Sequence, residues 1–209
     1  ASGVLITSAG GVPSISSTLP SAVQDNITRL GTIVSGVWNG TTIAVANGGT
    51  GVTASDPVIQ RVSTQTGAVA TGTTTTPFDD TIPQNTEGDQ YMSLAITPKN
   101  TANILRIDVN IAMLSSTAIA GNILCIALFQ DSTANALAAV NSPIIVTGVA
   151  IVGGVSFIHT MTAGTTSATT FKVRIGASAA GTTTFNGSAG ARFLGGVYAS
   201  SIVITEYAT

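Results

Sequence analysis

Along residues 103–114 of this chain, Leu105, Ile107, Val109, Ile111 and Met113 alternate with Arg106, Asp108 and Asn110. Successive side chains of an extended backbone leave it on opposite sides, so this two-residue period predicts a β-strand with one buried and one wet face. Residues 169–177 repeat the pattern, with Phe171, Val173 and Ile175 opposite Lys172 and Arg174, and residues 58–66 also alternate. Residues 121–130 are apolar on both faces at their centre, as in an interior strand or one covered by a neighbouring subunit. Further strands are expected over 91–97, ending before Pro98, and near 144–148, 155–161 and 198–207. The apolar run 144–155 is broken by Thr147, Gly148, Gly153 and Gly154, which predicts two buried strands joined by a flexible turn. About eight strands with Gly, Ser and Thr turns predict an all-β protein, a jelly-roll-like antiparallel β-sandwich over residues 58–209.

The preceding residues have another texture. Residues 1–20 are rich in Gly, Ser and Pro and read as extended, with a strand at 4–7. Residues 21–30 suit a short helix: Ser21 is a fitting N-cap, Val23, Ile27 and Leu30 share one face, and Gly31 follows where a helix-ending glycine belongs. So short a helix is unstable alone, which leaves its stripe either in a three-chain bundle or packed on its own domain. Residues 30–51 carry Trp38, the only tryptophan, and the turn signals Asn39-Gly40 and Asn47-Gly48-Gly49 between β-branched runs. Residues 53–57 read as a hinge. The division expected is therefore a thin shaft or neck over 1–57 and a tip domain over 58–209.

Composition narrows the function. Only 8% of residues are charged, against roughly a quarter in ordinary globular proteins, while 44% are hydrophobic. That balance excludes a disordered chain. Abundant Thr, Val and Ile favour strands over helices. The net charge of −2 and scattered basic residues leave no stripe able to neutralise phosphates, so no nucleic-acid partner is expected. The run 144–155 falls short of the roughly 20 apolar residues of a spanning helix, and aromatics at 5% are too few for the girdles of an outer-membrane barrel. No membrane insertion is expected. Cys125 is the only cysteine, which rules out an intramolecular disulfide and predicts a buried structural thiol. No secretory signal is visible at the start, and Ala1 in place of methionine suggests a fragment whose N-terminal portion is missing.

Candidate chemistry is sparse. His159, the only histidine, falls on the face shared by Val155, Phe157 and Met161 and reads as a core or interface residue. No Gly-x-Ser-x-Gly nucleophile elbow occurs, and the further imidazoles or thiolates that a transition metal needs are absent from the sequence. Asp79, Asp80, Glu87 and Asp89 share one expected loop, residues 77–90. Paired carboxylates can cleave sugars and oxygen ligands can hold Ca²⁺, but the EF-hand spacing is missing, and adjacent loop aspartates commonly cap turns. No catalytic residue, metal site or cofactor is expected. The sequons at Asn26, Asn39 and Asn186 are compatible with chance in a Thr-rich and Ser-rich chain. Residues 185–196 are glycine-rich without the Lys-Ser/Thr ending of a phosphate loop, and fit strand turns. Loops 77–90, 132–142 and 182–192 are candidates for recognition.

The stretch SGVWNGTTIAVANGGTG within residues 30–51 resembles the spacer segments that precede the distal domains of bacteriophage tail fibres. TPFDDTIPQNTEGDQYMSLAITP (76–98), ALFQDSTANALAA (127–139), TTFKVRIG (169–176) and FNGSAGARFLGGVYASSIVITEY (185–207) together resemble a C-terminal domain of phage fibre and other virion structural proteins. The resemblance implies a homotrimeric tip of β-sandwich protomers without catalytic residues, located on the virion and acting outside the bacterial host cell. Its implied partners are a bacterial surface polysaccharide or outer-surface protein, and other virion proteins through the missing N-terminal portion. The alternatives are a purely architectural head fibre, decoration protein or trimerisation cap, and a polysaccharide-cleaving tailspike. In the trimer reading Val23, Ile27, Leu30 and Trp38 lie at the interface between chains.

Overall fold

The computed structural model describes residues 4–7, 10–11, 13–16, 58–117, 122–143 and 150–209. The short helix expected at 21–30, the connector 31–57, the strand expected at 144–148, and Val23, Ile27, Leu30 and Trp38 lie outside the described residues. The chain divides into two compact units, Ala1–Thr53 and Ala54–Thr209. In the first, β1 (Val4–Thr7) and β2 (Pro13–Ser16) form an antiparallel hairpin.

The second unit is an antiparallel β-sandwich. Its strands are β3 (Val58–Thr66), β4 (Ala70–Gly72), β5 (Asp89–Ile96), β6 (Ile104–Ser116), β7 (Ile123–Gln130), β8 (Ala138–Pro143), β9 (Ala150–Thr162), β10 (Thr169–Ala177), β11 (Thr183–Phe185), β12 (Gly187–Ser188), β13 (Ala191–Arg192) and β14 (Ser200–Tyr207). One sheet runs β5-β10-β7-β8. The other runs β3-β14-β6, with β9 on the far side of β6 and with β11 and β4 continuing beside the last residues of β6. Ordering the long strands as 3-14-6-9 and 5-10-7-8 is the two-Greek-key arrangement of a jelly roll. Of these strands, only β7 and β8 are joined consecutively within one sheet. The expected jelly-roll sandwich is thus the fold observed.

The core lies between the sheets and follows the alternation. Leu105, Ile107, Val109 and Ile111 of β6 face Leu124, Ile126 and Leu128 of β7 and Phe171, Val173 and Ile175 of β10, all buried. Tyr91 stacks on Phe185 with ring centroids 5.2 Å apart, closing one end. β7 is buried on both faces because Cys125, Ala127 and Phe129 form a second small cluster with Ala136 on the outer side of the sheet. The cover comes from the chain's own loops.

Three expectations change. Gly153 and Gly154 make no turn: they sit inside β9, where a Cβ would meet no atom within 4 Å. The expected loop 132–142 ends in β8, whose edge pairs with β7 from Leu128↔Ala138 onward. The expected loop 182–192 holds three short strands and a buried junction at Asn186.

Asn186 has φ of 56°, a left-handed backbone that asparagine tolerates better than alanine. Its Nδ2 donates to the carbonyls of Thr66 (2.7 Å) and Ala68 (3.2 Å), and its Oδ1 accepts from the Ser200 hydroxyl at 2.6 Å. Ser200 Oγ in turn accepts the Ala112 N–H at 2.9 Å. Asn186→Ala strands these buried groups and adds backbone strain, so a loss of about 3 kcal/mol is expected in urea unfolding. Asn186→Gly, which relieves only the strain, is expected to lose less. At 1% exposure Asn186 also has no room for a glycan.

Candidate functional site

Residues 76–88 cross the outer face of the β5-β10-β7-β8 sheet and are the best-built exposed loop among the described residues. Two backbone bonds tie its ends, Thr76 N–H to Ala177 O and Gly88 N–H to Thr75 O, both at 3.0 Å. Arg174, on the wet face of β10, donates from Nε to the Glu87 carbonyl (2.9 Å) and from its guanidinium terminus to the Gly88 carbonyl (2.7 Å). Gly88 has φ of 61° and lies so close to Gly176 that a Cβ on Gly176 would stand 2.9 Å from the Gly88 Cα. Backbones approach this closely only where side chains are absent.

The loop is also zipped to residues 131–137. Asn85 N–H donates to Ala134 O at 2.7 Å, and Ala136 N–H donates to Pro83 O at 2.9 Å. The Asn85 side-chain amide reaches the carbonyls of Ser132 and Thr133, each at 3.1 Å. Gln84 Nε2 donates to Asn135 Oδ1 at 3.0 Å. Polar side chains that look like solvated loop composition in the sequence are here tied to the backbone of a neighbouring loop.

The acidic residues take separate places. Asp79 accepts from the Thr81 N–H (2.8 Å) and hydroxyl (2.5 Å), and the hydroxyl bond first, then the N–H, holds its carboxyl below the usual range. Glu87 accepts the Gln84 N–H at 2.9 Å, and Asp89 accepts the Thr74 N–H and hydroxyl at 2.9 and 2.8 Å. Asp79 and Glu87 thus cap local turns, the role that adjacent loop acids commonly have, while Asp89 ties the start of β5 to the segment at Thr74. Asp80 is exposed. Among the described residues no three His, Cys, Asp or Glu side chains converge on one point.

Beside the exposed Asp79, Asp80 and Thr81, the loop presents two large apolar side chains to solvent. Phe78 is 58% exposed and Ile82 54% exposed, on either side of Asp79 and Asp80. A cleft of about 420 Å³ opens beside them, lined by Asp79, Asp80, Ile82, Pro83 and the backbone leading into β8. A smaller hollow of about 180 Å³ lies beneath Phe78, with Cys125 and Asn141 in its wall. Burial foremost, with the Glu87 charge adding to it, pushes the Cys125 thiol up to about 11, so it is not a nucleophile at neutral pH. On the other sheet a hollow of about 300 Å³ is lined by Ile104, Arg106, Thr160 and Tyr207, with Arg106 paired to Asp108 at 2.9 Å.

His159 sits on β9 beside Ile107 of β6, half-buried, and burial lowers its pKa. The expected face shared with Val155, Phe157 and Met161 is observed. Glu206 belongs to no chemical motif in the sequence, yet it is the most enclosed carboxylate among the described residues, at 0% exposure. Its signal in the sequence is parity: it continues the inward row of Ile202 and Ile204 on β14. No helix among the described residues is long and apolar enough to cross a membrane.

No family model matches the chain, and no curated protein does. Among solved structures it is similar to the enzymatically active domain of tailspike protein 4 of bacteriophage CBA120, at 12% identity and a TM-score of 0.21. That alignment covers 63% of this chain and 19% of the tailspike chain. At such an identity and score the likeness sets neither fold nor function, and the jelly-roll assignment stands on the strand order alone.

Proposed function

We propose that this chain is the distal part of a bacteriophage tail fibre, a homotrimer that attaches the virion to the surface of a bacterial host. The observation that supports attachment most directly is the 76–88 loop, which holds Phe78 and Ile82 out to solvent between two anchored ends, Thr76 on one side and Pro83 to Gly88 on the other. Large apolar side chains fixed before binding gain contact area without the cost of ordering the loop, so a partner binds them more tightly. The spacer-like stretch around Trp38 supports the placement in a fibre. Three tips per fibre raise avidity even where each contact is weak. The carboxylates that a sugar-cleaving site would need are engaged in turn capping at Asp79 and Glu87, which favours binding over catalysis.

Adsorption competition tests this reading. The purified protein is expected to bind host envelope fractions and slow phage adsorption, and Phe78→Ala with Ile82→Ala is expected to weaken that binding at least tenfold, about 1.4 kcal/mol. Protein that binds no envelope fraction and leaves adsorption unchanged overturns attachment in favour of an architectural role. Shortening of host polysaccharide that is lost in Asp79→Ala or Asp80→Ala would instead establish an enzyme.

A further inference from the structure

Two outer strands of the sandwich carry no formal charge of their own. From residue 132 to residue 171 the sequence has no Asp, Glu, Lys or Arg. The two strands are β8 and β9, which both come from this run. Ordinary surfaces intersperse charges of both signs, and interface centres are depleted of them.

β9 is also an outer strand without the usual defences. Unpaired strand edges recruit further strands, and proteins blunt them with charges, proline, bulges or short length. β3 carries Arg61 and shifts register beside Tyr207. β5 begins at Asp89 and shifts register beside Val173, while β8 is only 6 residues long and ends on Pro143. β9 runs for 13 residues with neither charge nor proline, and pairs with β6 in one register from Ile104↔Thr162 to Ser116↔Ala150. Among the described residues its other edge has no strand partner.

Its side chains are under-covered on both faces. Val155, Phe157 and Met161 are half-buried, although the β6 residues paired with them are at most 1% exposed. On the opposite face Ile158 is 55% exposed.

We propose that the β9 margin is the surface through which copies of this chain associate. Identical surfaces meet charge for charge, so two uncharged strands, flanked on the outward face by an Arg106–Asp108 pair that neutralises itself, are what a copy can approach without repulsion. The size fits as well. A strand of 13 residues rising about 3.3 Å each runs about 43 Å. With a layer roughly 10 Å wide for β9 and another for the shorter, 6-residue β8, that gives about 600 Å², the lower end of the area per partner of a standard stable interface. The inference rests on the oligomer of the preceding reading and names the surface that builds it.

Light scattering on the purified 209-residue chain, with no host material present, tests it. Ile158→Asp is expected to convert the oligomer to the 20.8 kDa protomer, or to weaken association at least a hundredfold, with an unchanged circular dichroism spectrum. Ser156→Arg, at an exposed polar position on the same face, is expected to act likewise should Ile158→Asp disturb folding. Ser63→Asp, at an exposed position of β3, is the control and is expected to leave the mass unchanged. If the folded β9 variants keep the wild-type oligomer, or if Ser63→Asp dissociates it equally, the β9 assignment fails and the oligomer stands. A wild-type chain that is a protomer at every concentration overturns both, whatever adsorption shows.

Discussion

Glu206→Ala is expected to lower the stability of the β-sandwich by about 4 kcal/mol, through donors left buried without an acceptor. One carboxylate oxygen, Oε1, accepts the Lys99 N–H (2.8 Å), the Asn100 N–H (3.4 Å) and Asn103 Nδ2 (2.6 Å), and Oε2 accepts Gln60 Nε2 at 2.5 Å. A single side chain on β14 thereby ties the β5–β6 turn to β3. The turn is tied onward, since the Asn103 carbonyl accepts the Ala163 N–H and the Thr101 carbonyl the Gly164 N–H. Alanine leaves the enclosed Asn103 amide and the turn N–H groups facing nothing. Urea unfolding at one protein concentration would show the midpoint fall with an unchanged m-value. An Ala variant within 1 kcal/mol of the wild type would refute this account, on a threshold set by the usual worth of one hydrogen bond.

The same site sets an acid limit. Burial raises the Glu206 pKa, but the hydrogen bonds from Gln60, Asn103, Lys99 and Asn100 together outweigh it, so its folded value lies below the ordinary 4.5. A depressed folded pKa means that the unfolded chain takes up the proton first as pH falls. The stabilisation is therefore complete above pH 4.5 and drains away as pH drops through the folded value. Glu206→Gln, which keeps the shape without the titration, should flatten the acid limb of a stability–pH curve relative to the wild type. An unchanged limb would place the acid sensitivity elsewhere.

Gly176→Ala is expected to cost about 3 kcal/mol and to unseat the 76–88 loop. The new Cβ would stand 2.8 Å from the Thr74 carbonyl oxygen and 2.9 Å from the Gly88 Cα, both backbone atoms, and 2.4 Å from Thr76 Oγ1. A flexible side-chain tip could turn aside, but backbone on two sides cannot without releasing the Thr76 and Gly88 bonds that close the loop. Gly153→Ala supplies the contrast. In β9, a Cβ there meets nothing within 4 Å, so the variant should match or slightly exceed wild-type stability. Should Gly176→Ala bind host envelopes as well as Gly153→Ala, the pinned loop is not what presents the contact residues. Hydrogen exchange at Asn85 and Ala136 would report the unseating directly.

The alternation in β6 and β10 made the sandwich legible, because each inward position is apolar and each outward one is not. Other features escaped that period. Gly153 and Gly154 read as a turn because glycine is the common punctuation of strands, yet β6 pairs with Gly153 and Val155 in one register and keeps the stretch in the strand. The strands between residues 183 and 192 are too short to show a period, and β11 forms by pairing with β4 and β6, both distant in sequence. The loop 76–88 read as solvated because Asn, Gln and Asp are polar. The partners of Gln84 and Asn85, residues 132–135, follow β7, and only folding brings the two loops together.

The sequence by itself determined the strand class, the alternation of the core and the poverty of titratable groups, since each is a property of neighbouring residues and overall composition. Only the tertiary structure decided where burial leaves a carboxylate fully bonded at Glu206, which loop is tied rigid, and which strand edge lies open at β9. Those outcomes depend on which distant segments meet, and a hydrogen bond or an uncovered edge exists only once both sides have a place.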